Sequence, residues 1–205
     1  MLLFDIGANI GKWAIANQAK GTIVSVEASE RTYETLKANV GPYPNIIPLQ
    51  YAVCDSTEPF ITFYECDANT ISTINENWLA HPSSRFYNQY KYHKSTARVI
   101  SLDKLIEEHG LPDLLKIDVE AGEYQCIHSL TQKVPVLCFE WATEVNPISF
   151  TCLDYLATLG FTRFYIQFGD NYTFEPSEYP YSLEEAKGAL EKTKFKVDWG
   201  MIWCR

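Results

Sequence analysis

Long apolar runs are missing from this chain. The longest, around Val136–Phe139, is far too short to cross a bilayer. A surplus of positive charge is missing too: 17 Lys and Arg face 26 Asp and Glu, for a formal net charge of −9. Such a chain repels phosphate backbones and anionic lipid, which disfavours nucleic acid and membrane surfaces and leaves neutral or cationic ligands. The six cysteines include no CxxC pair and no regular spacing, so no disulfide framework is spelled out. Cys126, Cys138 and Cys152 sit in apolar patterns, where a thiol behaves as a small hydrophobe. Free thiols in a reducing, cytoplasmic compartment are the expectation. No secretory leader is evident, so the Asn171-Tyr172-Thr173 sequon carries little weight. Repeats, low-complexity tracts and linkers are also absent, and 205 residues suit one well-buried domain over 1–205.

What is present is alternation. Leu2–Ile6 reads as a buried strand, and Ile10–Gln18 follows with helical spacing that brings Ile10, Trp13, Ala14 and Asn17 to one side. Thr22–Val26 is a β-branched strand. Ser29 caps a helix over Glu30–Val40 that Gly41-Pro42 stops, and Asn45–Val53 is a third strand. Phe60–Tyr64 and Ala97–Ser101 look extended. Further on, helices are predicted over Leu102–His109, Glu123–Leu130, Ile148–Leu159 and Leu183–Lys192. Strands are predicted over Leu114–Val119, Val134–Trp141, Phe161–Phe168 and Lys196–Trp203. Strand and helix in alternation imply a doubly wound α/β sheet, mostly parallel, with an antiparallel last strand near its edge. The aromatic, polar stretch 67–94 lacks periodicity and is expected to be a lid or acceptor-binding segment.

Asp5-Ile6-Gly7-Ala8-Asn9-Ile10-Gly11 lies where the first strand meets the first helix. Ligands of doubly wound sheets bind outside the carboxyl ends of the strands, and glycines there let a ligand approach the main chain. A dinucleotide fingerprint needs G-x-G-x-x-G. Here the spacing is G-x-x-x-G, with Asp5 two residues ahead of Gly7. That anion opposes a pyrophosphate and favours the ammonium group of S-adenosylmethionine. Gly7, Asn9 and Gly11 would then carry the cofactor loop. Glu27, ending the second strand, would accept from both ribose hydroxyls, and Tyr51 and Ala52 would flank the adenine. A solvated carboxylate at Glu27 and core packing at Tyr51-Ala52 are the competing structural readings. The first strand begins at residue 2, which fits a minimal enzyme or a domain cut from a longer polypeptide with other glycan-processing domains.

A second string, Lys116-Ile117-Asp118-Val119-Glu120-Ala121-Gly122-Glu123, joins FDIGANIG, VEAS and the Leu102-Asp103 step. Together they resemble the FkbM family of methyltransferases, in order, from Phe4 to about Phe168. The family string commonly reads K-I-D-V-E-G-x-E, so Ala121-Gly122 shifts the glycine by one. The resemblance implies a class I methyltransferase (Rossmann-like) fold with seven strands in the order 3-2-1-4-5-7-6. It also implies O-methylation of a small molecule or a glycan hydroxyl.

Methyl transfer from a sulfonium is an in-line displacement, helped by positioning and by a base near the weakly nucleophilic hydroxyl. Asp118 and Glu120, two apart in a strand, would face the pocket together. Asp118 would sit nearest the methyl group and also contact the cofactor; Glu120 would orient or deprotonate the acceptor, or one of the pair would cap the next helix. Glu140 is a third acidic group on the same rim. Three such carboxylates could take a divalent metal, although none is expected. His81 and His93 are alternative bases. Trp78, Tyr87, Tyr90 and Trp141 are candidates to stack on a sugar face; His109 and His128 read as helix surface. A non-catalytic methyltransferase-like binding module and a nicotinamide oxidoreductase remain as alternatives.

Overall fold

The structure is a computed structural model of the 205-residue chain. It describes residues 1–169, 171–172, 176, 179–193 and 198–205, apart from the side chain of Asn146. In chain order the elements are β1 (Leu2–Ile6), α1 (Lys12–Asn17), β2 (Thr22–Glu27), α2 (Glu30–Val40), β3 (Ile46–Gln50), β4 (Ala52–Val53), β5 (Phe60–Cys66) and α3 (Asn77–Ala80). They continue with β6 (Tyr92–Ile100), α4 (Leu102–His109), β7 (Leu114–Ile117), α5 (Glu123–His128), β8 (Leu137–Ala142), α6 (Asn146–Thr158), β9 (Phe164–Phe168), α7 (Leu183–Glu191) and β10 (Trp199–Cys204).

Seven strands form one sheet in the order β3-β2-β1-β7-β8-β10-β9. Counting only those strands, this is 3-2-1-4-5-7-6, as the resemblance implied. Only β10 runs antiparallel, pairing with both β8 and β9. Central β1 and β7 bury nearly every residue, as strands covered on both faces must. Side-chain alternation then divides the core. Phe4, Ile6, Leu115, Ile117, Phe139 and Trp141 pack toward α4–α7. Leu3, Leu114 and Cys138 pack on the other face with Trp13, Leu36 and Val40. The chain reverses its winding between β1 and β7, which opens a crevice beyond their carboxyl ends.

Several boundaries differ from the sequence reading. The predicted third strand breaks at Tyr51: Ile46–Gln50 stays at the edge of the main sheet, and Ala52–Val53 leaves it to pair with β6. Pro48 fits β3 because an edge strand tolerates a missing N–H. β6 begins at Tyr92, earlier than expected, because its outer half pairs antiparallel with β5 from Phe60↔Arg98 to Cys66↔Tyr92. The stretch before it holds α3 and a 3-10 turn at Asn69–Ile71. The final strand starts at Trp199; Lys196 and Val197, expected within it, and Thr173 of the sequon lie outside the described residues. Ser29 caps α2 as expected, accepting from the Thr32 amide at 3.2 Å. All six cysteines are buried and free. Among the described residues, no helix is long and apolar enough to cross a membrane.

Candidate active site

Parallel register places Asp5 opposite Lys116 on the sheet face that carries Trp13 and Leu36. The Lys116 ammonium lies 3.0 Å from Asp5 Oδ1 and 3.2 Å from Asp118 Oδ2. Asp5 is fully buried and Lys116 nearly so. Burial pushes the Asp5 carboxyl up, and the Lys116 charge opposes that shift. Burial also disfavours the ammonium, but Asp118 and Asp5 outweigh it and raise the Lys116 pKa. Asp5 does not line the crevice: it is the floor of the loop, spent on Lys116, and is not at hand for a ligand ammonium. Sequence reasoning missed Lys116. Its signal was there, since a lysine inside the buried run Leu114–Ile117 needs a buried partner.

The crevice beyond β1 and β7 is a cavity of about 600 Å³. On its lining Gly7 adopts φ 73°, and a Cβ there would stand 1.7 Å from the Asp118 carbonyl oxygen. Only glycine lets the loop pass the end of β7. The Gly7 and Ala8 amides both donate to the Val26 carbonyl at 2.9 Å. Glu27 accepts from the Asn9 amide through Oε2 and from the Ser29 amide through Oε1, each at 2.9 Å. Burial raises its pKa to about 7 against the pull of those amides. Each Glu27 oxygen keeps a further lone pair for a donor in the cleft that the residue lines. Tyr51 and Ala52 line the same cavity, and the Arg98 guanidinium lies 5.0 Å from the Tyr51 ring centre. Gly11, by contrast, caps α1 at φ 87° against Leu36 and Val40 and lies outside the cavity lining.

In the same cavity Asp118, Glu120 and Glu140 converge, each offering an oxygen within 4.8 Å of the others. Strand alternation is not what brings Asp118 and Glu120 together. β7 ends at Ile117, and Glu120 and Ala121 both turn left-handed, with φ of 56° and 64°. Neither Asp118 nor Glu120 caps α5; instead Glu123 accepts from the Val119 amide at 3.1 Å. The Trp78 indole N–H donates to Glu120 Oε2 at 2.9 Å. Burial, then the neighbouring Asp118 charge, raises the Glu120 pKa well above the carboxylate range. Burial, then Glu120, does the same at Glu140. Proton affinity at both glutamates is therefore higher than at an isolated carboxyl. The same oxygen spacing could also suit a divalent ion.

Of the aromatic and histidine candidates, Trp78 and Tyr90 line the cavity. Trp141 does not: it alternates with Glu140, points to the opposite face, and donates its indole N–H to the Gln167 carbonyl at 3.2 Å, fully buried. His81 turns to Ser83 at 2.6 Å on the surface, and His93 stands on β6, 3.7 Å from Glu65. Neither reaches the carboxylates' cavity. Trp199 and Arg85 do line it, and sequence reasoning missed both. Arg85 grips Glu144 through Nε at 2.6 Å and reaches the Asp198 carbonyl at 3.2 Å. Only tertiary structure joins residues so far apart in sequence.

A hexuronic acid methyltransferase, AglP, of Haloferax volcanii is 27% identical over 158 residues. That match covers 74% of this chain and 60% of the relative's own length. Among solved structures, a precorrin-6y C5,15-methyltransferase from Geobacter metallireducens aligns over the whole chain and 78% of its own length, at 10% identity and TM-score 0.48. Aeropyrum pernix fibrillarin, crystallised with natively bound S-adenosyl-L-methionine, aligns over the whole chain and 65% of its own, at 13% identity and TM-score 0.45. The fold assignment rests on the strand order itself. The model of the methyltransferase FkbM domain matches residues 5–161, from the aspartate under the glycine loop to the end of α6 and the turn beyond it. The chain belongs to the FkbM methyltransferase domain family.

Proposed function

We propose that this protein is an S-adenosylmethionine-dependent O-methyltransferase acting on a hydroxyl of a sugar or glycan. The observation that carries the reading is the convergence of Asp118, Glu120 and Glu140 in one cavity with the Gly7–Asn9 loop and Glu27. The cofactor, when bound, supplies an electrophilic methyl group. Gly7 leaves room beside the main chain, Glu27 offers acceptors suited to ribose hydroxyls, and Tyr51 offers a ring face for adenine. A pyrophosphate is poorly served: the amides of Gly7, Ala8, Asn9 and Gly11 are all engaged within the protein. That disfavours a nicotinamide dinucleotide.

In this reading Asp118, beside both Gly7 and the other carboxyls, orients the acceptor. Glu120, in its ionised form and made more basic by burial, takes the hydroxyl proton, and Glu140 shares it. Tyr90 and Trp199 offer ring faces to a sugar. The named substrate class of the Haloferax relative favours a uronic acid within the acceptor. Three clustered carboxylates would repel the acceptor's own carboxylate, which points to a ring hydroxyl as the methylated atom. The 67–94 segment forms the acceptor side of the cavity through Trp78, Arg85 and Phe86.

Calorimetry separates this from the other readings. S-adenosylhomocysteine should bind and NAD should not. No binding of S-adenosylhomocysteine would favour a non-catalytic module. Asp118→Asn should leave that affinity nearly intact while lowering turnover about a hundredfold or more. The proton-handling role assigned to the carboxylates needs no metal, so turnover should survive EDTA. Loss of turnover restored by Mg²⁺ would reassign the cluster to ion binding.

A further inference from the structure

The turn that carries Glu120 is gripped from outside the main sheet. Glu120 and Ala121 are consecutive non-glycine residues at φ 56° and 64°, a conformation L-residues enter only at a cost. Two side chains from one short segment hold the carbonyls of this turn. The Thr73 hydroxyl, itself buried, donates to the Glu120 carbonyl at 2.5 Å. The Asn75 amide donates to the Ala121 carbonyl at 3.1 Å. The same Thr73 oxygen accepts from the Asn75 amide N–H at 2.9 Å, and Asn75 Oδ1 accepts from Asn77 at 3.2 Å. Both side chains are therefore fixed in orientation. Gly122 completes the contact, since a Cβ there would meet Ile74 Cγ1 at 3.0 Å. Thr73 is in turn paired backbone to backbone with Tyr64 of β5, at 2.8 and 3.1 Å. The second sheet is thus tied to the Glu120 backbone through one hydroxyl.

We propose that Thr73 and Asn75 are positioning residues that fix the left-handed turn and so aim Glu120 at the acceptor. Trp78 then orients the carboxylate itself through Oε2. The proposal rests on the reading of Glu120 as the acceptor's base, but the grip on the turn can be tested separately. Ala121 gives it a reason specific to this chain. A glycine at 121 would hold φ 64° without help, whereas alanine relies on the donors that cradle its carbonyl.

The test uses the intact chain, S-adenosylhomocysteine calorimetry, amide hydrogen exchange, and methyl transfer to p-nitrophenyl β-glucuronide. In Thr73→Val and Asn75→Leu, exchange of the amides at 119–122 should accelerate by about tenfold or more while S-adenosylhomocysteine affinity stays within about twofold. Turnover should fall by about tenfold to a hundredfold with little change in KM, the mark of a misaimed group. Thr73→Ser keeps the donor and should restore both readouts. Adding Ala121→Gly to Thr73→Val should recover thermal stability but not turnover, because it removes strain without restoring aim. Unchanged exchange at 119–122 in both variants overturns the proposal, as does full recovery of turnover by Ala121→Gly. If Glu120→Gln keeps wild-type turnover while exchange responds as expected, the base assignment fails and the grip stands.

Discussion

At the scale of single residues, three positions decide how the site is built. Gly7 is the steric one. A methyl group there would collide with the Asp118 carbonyl oxygen at 1.7 Å, from a φ that alanine tolerates poorly. Gly7→Ala should cost about 4 kcal/mol or more in urea unfolding, the range reached when strain and overpacking coincide. Lys116 is the electrostatic one. Replacing it by Met leaves Asp5 buried without its cation, which should cost about 3–5 kcal/mol. Adding Asp5→Asn should return much of that loss, measured in the same unfolding experiment.

Glu27 is the titrating one, and its two consequences have opposite signs. Its folded-state pKa is raised to about 7 by burial, so the fold gains from protonation. That contribution to stability is complete below the ordinary carboxylate pKa and is lost as pH rises through about 7. In the proposed reading, it is the unprotonated carboxylate that accepts from the ribose hydroxyls. S-adenosylhomocysteine affinity should therefore weaken toward tenfold per unit as pH drops below about 7. Calorimetry across that range checks it, and Glu27→Gln should flatten the profile.

At the scale of elements, legibility followed the periodicity. Leu102–His109 was readable to the residue because Ser101 caps it and Gly110 ends it. β1, β2 and β7 were readable as short buried runs. The break between β3 and β4 was not, because Ile46–Val53 is continuously extended in character and only the pairing partner changes at Tyr51. The 67–94 segment was recognisable as irregular, and the structure shows why pattern alone could go no further. Its order comes from long-range bonds, such as Thr73 to Glu120, Asn75 to Ala121 and Arg85 to Glu144, that leave no local trace. Candidate site residues sorted the same way. Glu27 ends β2, Asp118 and Glu120 follow β7, Glu140 lies near the end of β8, and all four line the cavity where ligands of this architecture bind. Trp141 was misjudged by one step of the strand alternation; Trp199, at the start of β10, does reach the cavity.

At the scale of the whole molecule, the winding reversal between β1 and β7 explains why one crevice gathers residues from β1, β2, β7 and β8. It juxtaposes a loop whose amides are spent with the cluster of Asp118, Glu120 and Glu140. The chain's 26 acidic residues against 17 basic ones favour a cationic methyl donor over a phosphate-bearing one. The central claim is methyl transfer at this crevice to a sugar hydroxyl. Incubating the protein with methyl-labelled S-adenosylmethionine and a panel of glucuronides, then locating the label by mass spectrometry before and after alkali, tests it most directly. An alkali-stable methyl ether formed by the wild type and lost in Glu120→Gln is the predicted result. No transfer to any sugar, or an alkali-labile ester formed equally well by Glu120→Gln, would contradict it.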